Sequence, residues 1–453
     1  MGPGKAWGRV KLRGAMLATR LSEFAQEARP DANALAVMRL CLFDWSACAW
    51  AGRDQAVARV LVERARAEAG ARQAGLVGQG FRVPARMAAM VNGTIGHALD
   101  YDDTHFAHIG HPSAAVVPAA LAVAQSVDAR GEAMLAAALV GAEASVRIGV
   151  WLGRAHYQAG FHQTATAGAF GATLAAARLL GLDARTTGHA LGIVSTRASG
   201  LKSQFGTMGK PLNAGIAAAN GVEAALLAQA GLESAAGALD GAQGFGETHH
   251  GQADPAALDG LGETWLMNAV SYKFHACCHG LHAMLEALAP LADTIGARRV
   301  ERVVIRAHPR WKDVCNISDP ADGLQSKFSF RQAAALRLAG VDTASLAAFS
   351  DETARDLRVA QLRGLVEVTF CDRMSEAEAC VAVHLEGGET LGARHDLADP
   401  LAHEELSGKL RQKAQALIGP ERAGAVWAAI QSGPDLQGLV RALTTQHRPG
   451  APD

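Results

Sequence analysis

The chain has 453 residues, enough for two or three domains with a large buried core, and 49% of them are hydrophobic. A formal net charge of -1 at pH 7 argues against nucleic acid or an anionic membrane surface as a partner. The sequence contains no uninterrupted apolar run of the roughly 18 residues that a membrane helix needs.

Seven cysteines, an odd number with no Cys-x-x-Cys motif, predict a reducing compartment. The first twenty residues carry five basic and no acidic side chains, as a transit peptide would, but they lack its serine content and a clean amphipathic pattern. We therefore predict that residues 1–15 are an extension ahead of an internal start at Met16, and that the protein is cytoplasmic.

The sequence from Leu17 to Leu266 is rich in alanine, and its apolar residues recur at spacings of three and four, which predicts packed helices. Only 5% of all residues are aromatic, so we expect a core of small aliphatic side chains. Leu180-Gly181-Leu182-Asp183 is typical of a helix end followed by a new N-cap. The clearest helical segments are residues 34–51, 112–127, 131–152, 164–180 and 214–230.

The pattern changes after about Asn268. Three segments are predicted strands, and helical segments lie between and after them. The strands are residues 300–307, 364–370 and 379–385, and the helical segments are 280–295, 330–339 and 401–443. We therefore predict a mainly α protein with three parts. An all-helical domain occupies residues 16–266, a smaller α+β domain residues 267–398, and helices at 399–445 pack back on the first domain.

Residues 97–111 contain four of the seventeen histidines and three aspartates within mostly apolar sequence. Such a density of groups that titrate near neutrality indicates proton transfer or metal binding. On a helix, His97, Asp100 and Thr104 would share one face. The alternative interpretation is a hydrogen-bonding cluster between two helices.

The same run should end in a helix break at Gly110-His111-Pro112, with Pro112 starting the next helix. His111 would then lie at a helix N-terminus, where an anion is stabilised. Asp102 and Asp103 are expected to cap or to pair rather than to catalyse.

A second segment, Gly160-Phe161-His162, precedes an apolar helix that contains Thr164 and Thr166. One of the threonines is expected to be the N-cap, which places His162 just before the first turn. His162 could transfer protons, or it could be a hydrogen-bonded histidine at a helix start.

A third segment places Lys210 between Gly209 and Pro211, with Thr207 and Met208 just before it. Backbone N–H groups of such a loop can cradle an anion, and Lys210 adds a point charge. We predict that these four residues from Thr207 to Lys210 bind substrate. The glycine spacing excludes a Walker A loop, and an exposed loop lysine is the alternative.

A fourth segment contains His275, Cys277, Cys278, His279 and His282. The three histidines would share a face if the segment were helical, which makes a zinc site conceivable. The following Gly280 and the adjacent cysteines predict that the helix does not start before about Cys278. A histidine or cysteine here could instead act as a proton donor or base, or be buried for structural reasons.

Together these segments resemble the MmgE/PrpD family, and the resemblance runs from about Met16 to Gly433. No Gly-x-Gly-x-x-Gly follows a strand, so a dinucleotide cofactor is not expected. The motifs that match in order are Asn92-Gly93-Thr94, His97-Ala98-Leu99-Asp100-Tyr101-Asp102-Asp103-Thr104, His111-Pro112-Ser113, Gly160-Phe161-His162, Gly206-Thr207-Met208-Gly209-Lys210-Pro211, Gly241-Ala242-Gln243-Gly244-Phe245 and Lys327-Phe328-Ser329.

The family includes 2-methylcitrate dehydratase, cis-aconitate decarboxylase and iminodisuccinate epimerase. The resemblance implies a large all-helical domain, a smaller α+β lid domain, a homodimer, and neither cofactor nor metal. The catalytic positions implied by the decarboxylase branch are Asp100, Thr104, His111, His162 and Lys210.

This sequence departs from that branch at two positions. The last catalytic histidine falls at or near Cys278, so His275, Cys278 and His282 are the candidates for its role. Asn213 stands where many members have a histidine. Both departures weaken the case for decarboxylation.

We predict a cofactor-independent lyase that acts on a small di- or tricarboxylate by proton transfer next to a carboxylate, with dehydration favoured and decarboxylation possible. Lys210 would stabilise the developing charge, and His111 or His162, oriented by Asp100, would move the proton. The alternative is an epimerase of an imino- or aminodicarboxylate that uses the thiols at Cys277 and Cys278. A zinc hydrolase and a non-catalytic carboxylate-binding protein are more remote.

Overall fold

The computed structural model describes residues 16–431, 433 and 435–444. The predicted extension at residues 1–15 lies outside the described residues. The part of the chain that is described forms eighteen α-helices and six strands, which confirms the predicted mainly α class with a smaller α+β part.

The residues divide into two compact units. The first contains the described residues up to Val270 together with those from Ala425 onward, and the second contains Ser271–Gly424. The elements of the first up to Val270 are α1 (Met16–Glu27), α2 (Ala32–Gly52), α3 (Ala56–Glu68), β1 (Ala74–Gly75), β2 (Arg82–Val83), α4 (Ala85–His97), α5 (Pro112–Ser126), α6 (Gly131–Gln158), α7 (Gln163–Leu179), α8 (Ala184–Ser195), α9 (Gly209–Gln229) and α10 (Phe245–Thr248).

The predicted helix boundaries agree with the structure to within a few residues because local signals set them. Asp31 caps α2 by accepting a hydrogen bond from the Ala34 N–H at 2.8 Å. Asp183 caps α8 in the same way through the Thr186 N–H. Gly181, at φ 67°, provides the left-handed turn that ends α7.

Small residues let the central helices approach closely. A Cβ on Gly215 of α9 would collide with the Met90 carbonyl oxygen and the Thr94 side chain of α4. Gly141 of α6 and Gly171 of α7 oppose each other in the same way. The predicted core of small side chains is confirmed. The close approach of α4 and α9 determines where the ends of these two helices lie.

Two of these helices, α2 and α6, are long and apolar enough to cross a membrane by length and composition alone. In the structure 72% of the apolar window of α2 and 83% of that of α6 is buried inside the protein. Such burial is typical of core helices. In α6, Glu143 and Arg147 also form a fully buried ion pair at 2.7 Å.

The second unit contains a four-stranded sheet in the order β4-β3-β5-β6. β3 pairs in parallel with β4, and the other pairs are antiparallel. β5 alternates between half-buried and buried side chains, and α11 packs against β5 and β6. The elements are α11 (His282–Ile295), β3 (Val300–Ala307), α12 (Gly323–Ser326), α13 (Phe330–Leu338), α14 (Asp351–Arg355), α15 (Leu357–Gly364), β4 (Val366–Phe370), β5 (Glu378–Leu385), β6 (Thr390–Asp396) and α16 (His403–Ile418).

Three helices end the described chain. After α16 come α17 (Pro420–Gln431), which contains the boundary between the units, and α18 (Leu436–Thr444) of the first unit. In the first unit, the Trp427 ring of α17 lies 4.9 Å from the Phe43 ring of α2. The Leu443 carbonyl of α18 accepts a hydrogen bond from the Gly78 N–H at 2.8 Å.

Candidate active site

The first site segment does not continue as a helix. α4 ends at His97, and Asp100 adopts a left-handed conformation with φ 51°. Aspartate tolerates this conformation better than most residues do. The prediction that His97, Asp100 and Thr104 share a helical face is therefore wrong. Thr104 is half-buried in the loop that follows.

The predicted break before Pro112 is confirmed, since α5 begins at Pro112 and His111 immediately precedes it. The His111 N–H donates to the Thr164 hydroxyl at 3.1 Å. Asp103 accepts hydrogen bonds from the Ser113 N–H and, at short range, from its hydroxyl, so it caps α5 as expected. Burial raises the pKa of Asp103 to about 7, although the Ser113 hydroxyl lowers it.

Asp102 is fully buried between two histidines. Its Oδ1 and Oδ2 lie 2.9 Å and 3.1 Å from His97 Nδ1. Oδ1 also lies 3.4 Å from His111 Nδ1, at the outer limit of hydrogen bonding. Burial alone would raise the pKa of Asp102, but the interactions with His97 and His111 hold it well below its usual value. The expectation that Asp102 pairs is confirmed.

Asp100 joins His111 to Lys210. Its Oδ2 lies 2.8 Å from Lys210 Nζ, and its Oδ1 lies 3.3 Å from His111 Nε2. His111 therefore has a carboxylate at each ring nitrogen, Asp100 at Nε2 and Asp102 at Nδ1. Because a carboxylate oxygen only accepts hydrogen bonds, each contact is favourable only when the ring nitrogen that faces it carries a proton.

Lys210 is the second residue of α9 rather than part of a loop. The Gly209 N–H donates to the Thr207 hydroxyl at 3.0 Å, and the Lys210 N–H to the Thr207 carbonyl at 3.2 Å. The Leu212 N–H donates to the Met208 carbonyl, and residue 211 is a proline. These backbone N–H groups are thus largely used in hydrogen bonds within the turn itself, so they do not form the expected anion-binding cradle. The Lys210 ammonium remains as the fixed positive charge.

His162 is the residue before the first turn of α7, as predicted, but neither threonine is the N-cap. The Asn213 amide nitrogen lies 3.3 Å from both the Leu201 carbonyl and His162 Nδ1. Since a carbonyl only accepts, this nitrogen is the amide NH2 group, and it donates to His162 Nδ1. The ring proton of neutral His162 is therefore on Nε2.

Three histidines of the first unit, His97, His111 and His162, lie together. The His97 ring is 4.5 Å from that of His111 and 6.0 Å from that of His162. Burial lowers the pKa of His97 to about 4, and burial followed by the charges of His97 and Lys210 holds the pKa of His162 well below its usual value. The Phe205 ring packs edge-on against His162 at 5.0 Å.

Four groups of this cluster have ligand atoms close enough to share a metal ion. Atoms of His97, Asp100, Asp102 and His111 all lie within 4.8 Å of one another. The Lys210 ammonium already supplies a cation to Asp100 at 2.8 Å. A metal ion at these residues would share the Asp100 carboxylate with this ammonium group, and the two positive charges would repel each other.

In the second unit, a 3-10 turn at His279–Leu281 precedes α11, which begins at His282. The three histidines therefore do not share a helical face. His275 Nδ1 contacts the Thr343 hydroxyl at 2.7 Å, and its Nε2 lies 3.4 Å from Glu286. His282 is fully buried, and burial holds its pKa well below the usual value.

The cysteines of that segment differ in exposure. Cys278 is half-buried, whereas Cys277 and Cys315 are buried. Burial raises the pKa of the Cys277 thiol. A hydrogen bond with Cys278, followed by burial, raises the pKa of Cys315 well above its usual value. Cys278 is therefore the most accessible thiol of the three.

A family model described as the MmgE/PrpD N-terminal domain matches residues 19–258, and one described as the MmgE/PrpD C-terminal domain matches residues 275–432. The chain belongs to the MmgE/PrpD family. This membership confirms the resemblance seen in the sequence motifs.

Similar proteins carry one activity in their names. The cis-aconitate decarboxylase of Homo sapiens is 28% identical over 82% of this chain and 82% of that enzyme. The protein of the same name from Mus musculus is 26% identical over 79% of this chain and 77% of its own. That of Aspergillus terreus is 31% identical over 55% of this chain and 54% of its own. The protein is accordingly an enzyme of the MmgE/PrpD lyase type.

In this MmgE/PrpD enzyme, the first unit brings together Asp100, His111, His162 and Lys210 of the predicted site. It adds His97 and Asp102, which were not predicted to be site residues. The sequence did contain a signal, because both belong to the dense run at residues 97–111. Which of its members face one another depends on the left-handed turn at Asp100.

Proposed function

We propose that this MmgE/PrpD enzyme is a lyase that acts on a small di- or tricarboxylate, without a bound cofactor, by moving a proton at a carbon near a carboxylate. The observation that supports this most is the arrangement of Lys210, Asp100 and His111 in the first unit. Lys210, a fixed positive charge, and His111, a proton donor, both contact the Asp100 carboxylate. A substrate carboxylate could take the place of Asp100.

Lys210 would bind and neutralise the substrate. Its partner Asp100 has a side chain 41% exposed, whereas that of Lys210 is 15% exposed. An incoming carboxylate can therefore compete with Asp100 for the ammonium group. Charge that develops next to a carboxylate is stabilised most by a positive group already fixed in place. The exposed Thr207 and Met208, which precede this helix, are the proposed specificity residues together with Gly209.

The two histidines would donate protons. His111 contacts a carboxylate at each nitrogen, and neutral His162 carries its proton on Nε2 because Asn213 donates to Nδ1. Burial disfavours a charged His162, so it would act as a neutral donor. The site thus contains two histidines that can each donate a proton to the substrate.

This donor-rich arrangement favours decarboxylation of an unsaturated acid over the dehydration expected from the sequence. A proton from His111 would add to one carbon of a C=C bond. The carboxylate that is lost is attached to the carbon next to the other end of this C=C bond. As its C–C bond breaks, the electron pair forms the new C=C bond and carbon dioxide leaves. The names of the relatives support the same reaction.

Dehydration is the second candidate, and the position of Asp100 favours it. Once Lys210 binds substrate, the Asp100 carboxylate could take a proton from the carbon next to a carboxylate. His162 would then give its Nε2 proton to the hydroxyl, which leaves as water. Two departures support this candidate: Cys278 stands at or near the last catalytic histidine of the decarboxylase branch, and Asn213 stands where many family members have a histidine.

Proton NMR in deuterium oxide with a panel of di- and tricarboxylic acids tests the proposal. Carbon dioxide release with a deuterated alkene product indicates decarboxylation, and loss of a hydroxy acid with a new alkene signal indicates dehydration. Deuterium wash-in without net conversion would instead identify an epimerase. If the purified enzyme contains stoichiometric zinc and needs it for activity, the proposal is overturned in favour of a metal-dependent hydrolase.

A further inference from the structure

Asp102 contacts two imidazoles. Its oxygens lie 2.9 Å and 3.1 Å from His97 Nδ1, and Oδ1 lies 3.4 Å from His111 Nδ1. The side chains of Asp102 and His97 are both fully buried.

These contacts decide where the ring protons lie. A carboxylate oxygen offers only lone pairs, so a bare Nδ1 facing it would be repelled. His97, whose Nδ1 is hydrogen-bonded to Asp102, therefore carries a proton on Nδ1. The negative charge 3.4 Å from His111 Nδ1 favours a proton there as well. Proton exchange with a substrate is left to the Nε2 atoms, and His111 Nε2 is the one that faces Asp100.

We propose that Asp102 is a positioning residue that keeps a proton on Nδ1 of His111, so that His111 Nε2 is the atom that exchanges a proton with the substrate. His97, hydrogen-bonded through Nδ1 and fixed at the end of α4, holds the Asp102 carboxylate in place. The inference rests on the proposed function of this site.

Asp102 suits this role better than Asp100, which the sequence suggested as the orienting residue. Asp100 is partly exposed and is bound to Lys210, so substrate can draw it away. Asp102 is fully buried, and its interactions with the two histidines keep it ionised. Its negative charge therefore remains beside His111 throughout the reaction.

His97 supports the arrangement without competing for the proton. Burial keeps its pKa near 4, so the ring is neutral at pH 7. Its Nε2 has no hydrogen-bond partner among the described residues. A neutral His97 donates one hydrogen bond to Asp102 without neutralising it. The negative charge of Asp102 therefore still acts on His111.

The test combines nitrogen NMR of the full-length enzyme, labelled with 15N-histidine, with steady-state kinetics. Spectra of His111→Gln and His97→Gln assign the two signals. We expect a protonated Nδ1 on both rings of the wild type. In Asp102→Asn, the side-chain amide can donate to Nδ1, so we expect His111 to lose its Nδ1 proton and to keep a proton only on Nε2, which makes it a weaker acid. With a processed acid, kcat should fall by about 10²–10⁴-fold while KM changes by less than about threefold.

Asp103→Asn is the matched control. Asp103 is adjacent and equally buried, but its hydrogen bonds go to Ser113 at the start of α5. We expect lower thermal stability with unchanged histidine signals and with kcat within about threefold of the wild type. A role of Asp102 limited to folding would instead give the two variants the same profile.

An unprotonated His111 Nδ1 in the wild type would overturn the proposal, whether or not any variant folds. Unchanged histidine signals and kcat in Asp102→Asn would overturn it as well. A third outcome separates the two proposals. If the His111 proton position changes in Asp102→Asn but the enzyme processes none of the acids, the positioning role of Asp102 is supported and the proposed function is overturned.

Discussion

The cluster around His111 in the first unit and the segment around His282 in the second are both rich in histidine, but their partners differ. His111 lies between two carboxylates, and one of these, Asp100, also binds Lys210. In the second unit, Glu286 binds both His275 and Lys409. Histidine density alone therefore does not identify a proton-transfer site.

The difference lies in how easily the partners can be exchanged. The Asp100 side chain is 41% exposed, so a substrate carboxylate can replace it at Lys210. The Glu286 side chain is 12% exposed, and its pKa is lowered to about 2, against burial, by hydrogen bonding to His275. The first arrangement suits catalysis, whereas the second suits a permanent structural contact.

The largest effect is expected from Lys210→Ala, which removes the fixed charge of the first region. We expect kcat/KM to fall by about 10²–10³-fold, because charge developing near a carboxylate loses its stabilising group. Lys202→Ala is the control, since Lys202 Nζ instead donates to the Tyr157 carbonyl at 3.1 Å. Equal loss in both variants would contradict the role of Lys210.

Asn213→Asp tests the proton position on His162. A carboxylate there would accept a hydrogen bond from His162 Nδ1, raise the pKa of His162 and remove the donor at Nε2. We expect kcat to fall by about 10–100-fold, and proton NMR titration to show the higher pKa. Asn220→Asp, on the same helix but bonded to Arg197, should change neither quantity.

Glu286→Gln tests the structural interpretation of the second region. The pKa of Glu286 is about 2 in the folded protein against a usual 4.5, so its contribution to stability is present above pH 4.5 and is lost as the pH falls toward 2. We expect the variant to lose about 3 kcal/mol of unfolding free energy at pH 7 in urea titrations, and less near pH 2.

Glu389→Gln is the matched control for that variant. Glu389 pairs with Arg298 at 2.8 Å, but both side chains are exposed. We expect a change of less than about 1 kcal/mol at any pH. A loss of catalysis in Glu286→Gln without a loss of stability would contradict the contrast between the two regions.

The smallest effect on stability is expected from Cys278→Ser, below about 0.5 kcal/mol, because the side chain is only half-buried. The same change should remove the fast-reacting thiol of the segment. Alkylation of the native enzyme followed by mass spectrometry should label Cys278 before the buried Cys277 and Cys315. Labelling of Cys315 first would contradict the observed difference in exposure.

Sequence signals placed most elements of the fold correctly. The strand at Val300–Ala307 was predicted residue for residue, because alternation of side chains is a local property. β6 was missed since its side chains are at most half-buried and follow no strong apolar alternation. Part of the proposed site can be predicted from the sequence, because Lys210 and His162 each stand in a recognisable motif.

The sequence by itself determined the helical class, the cap at Asp183 and the family, because these depend on short stretches of the chain. The tertiary structure decided which groups meet. The glycine contact between α4 and α9 brings His97 and Lys210 into one region, and the left-handed Asp100 turns the chain so that two aspartates face His111. Neither follows from residue spacing, because helix crossings and a single unusual backbone angle depend on contacts between distant parts of the chain.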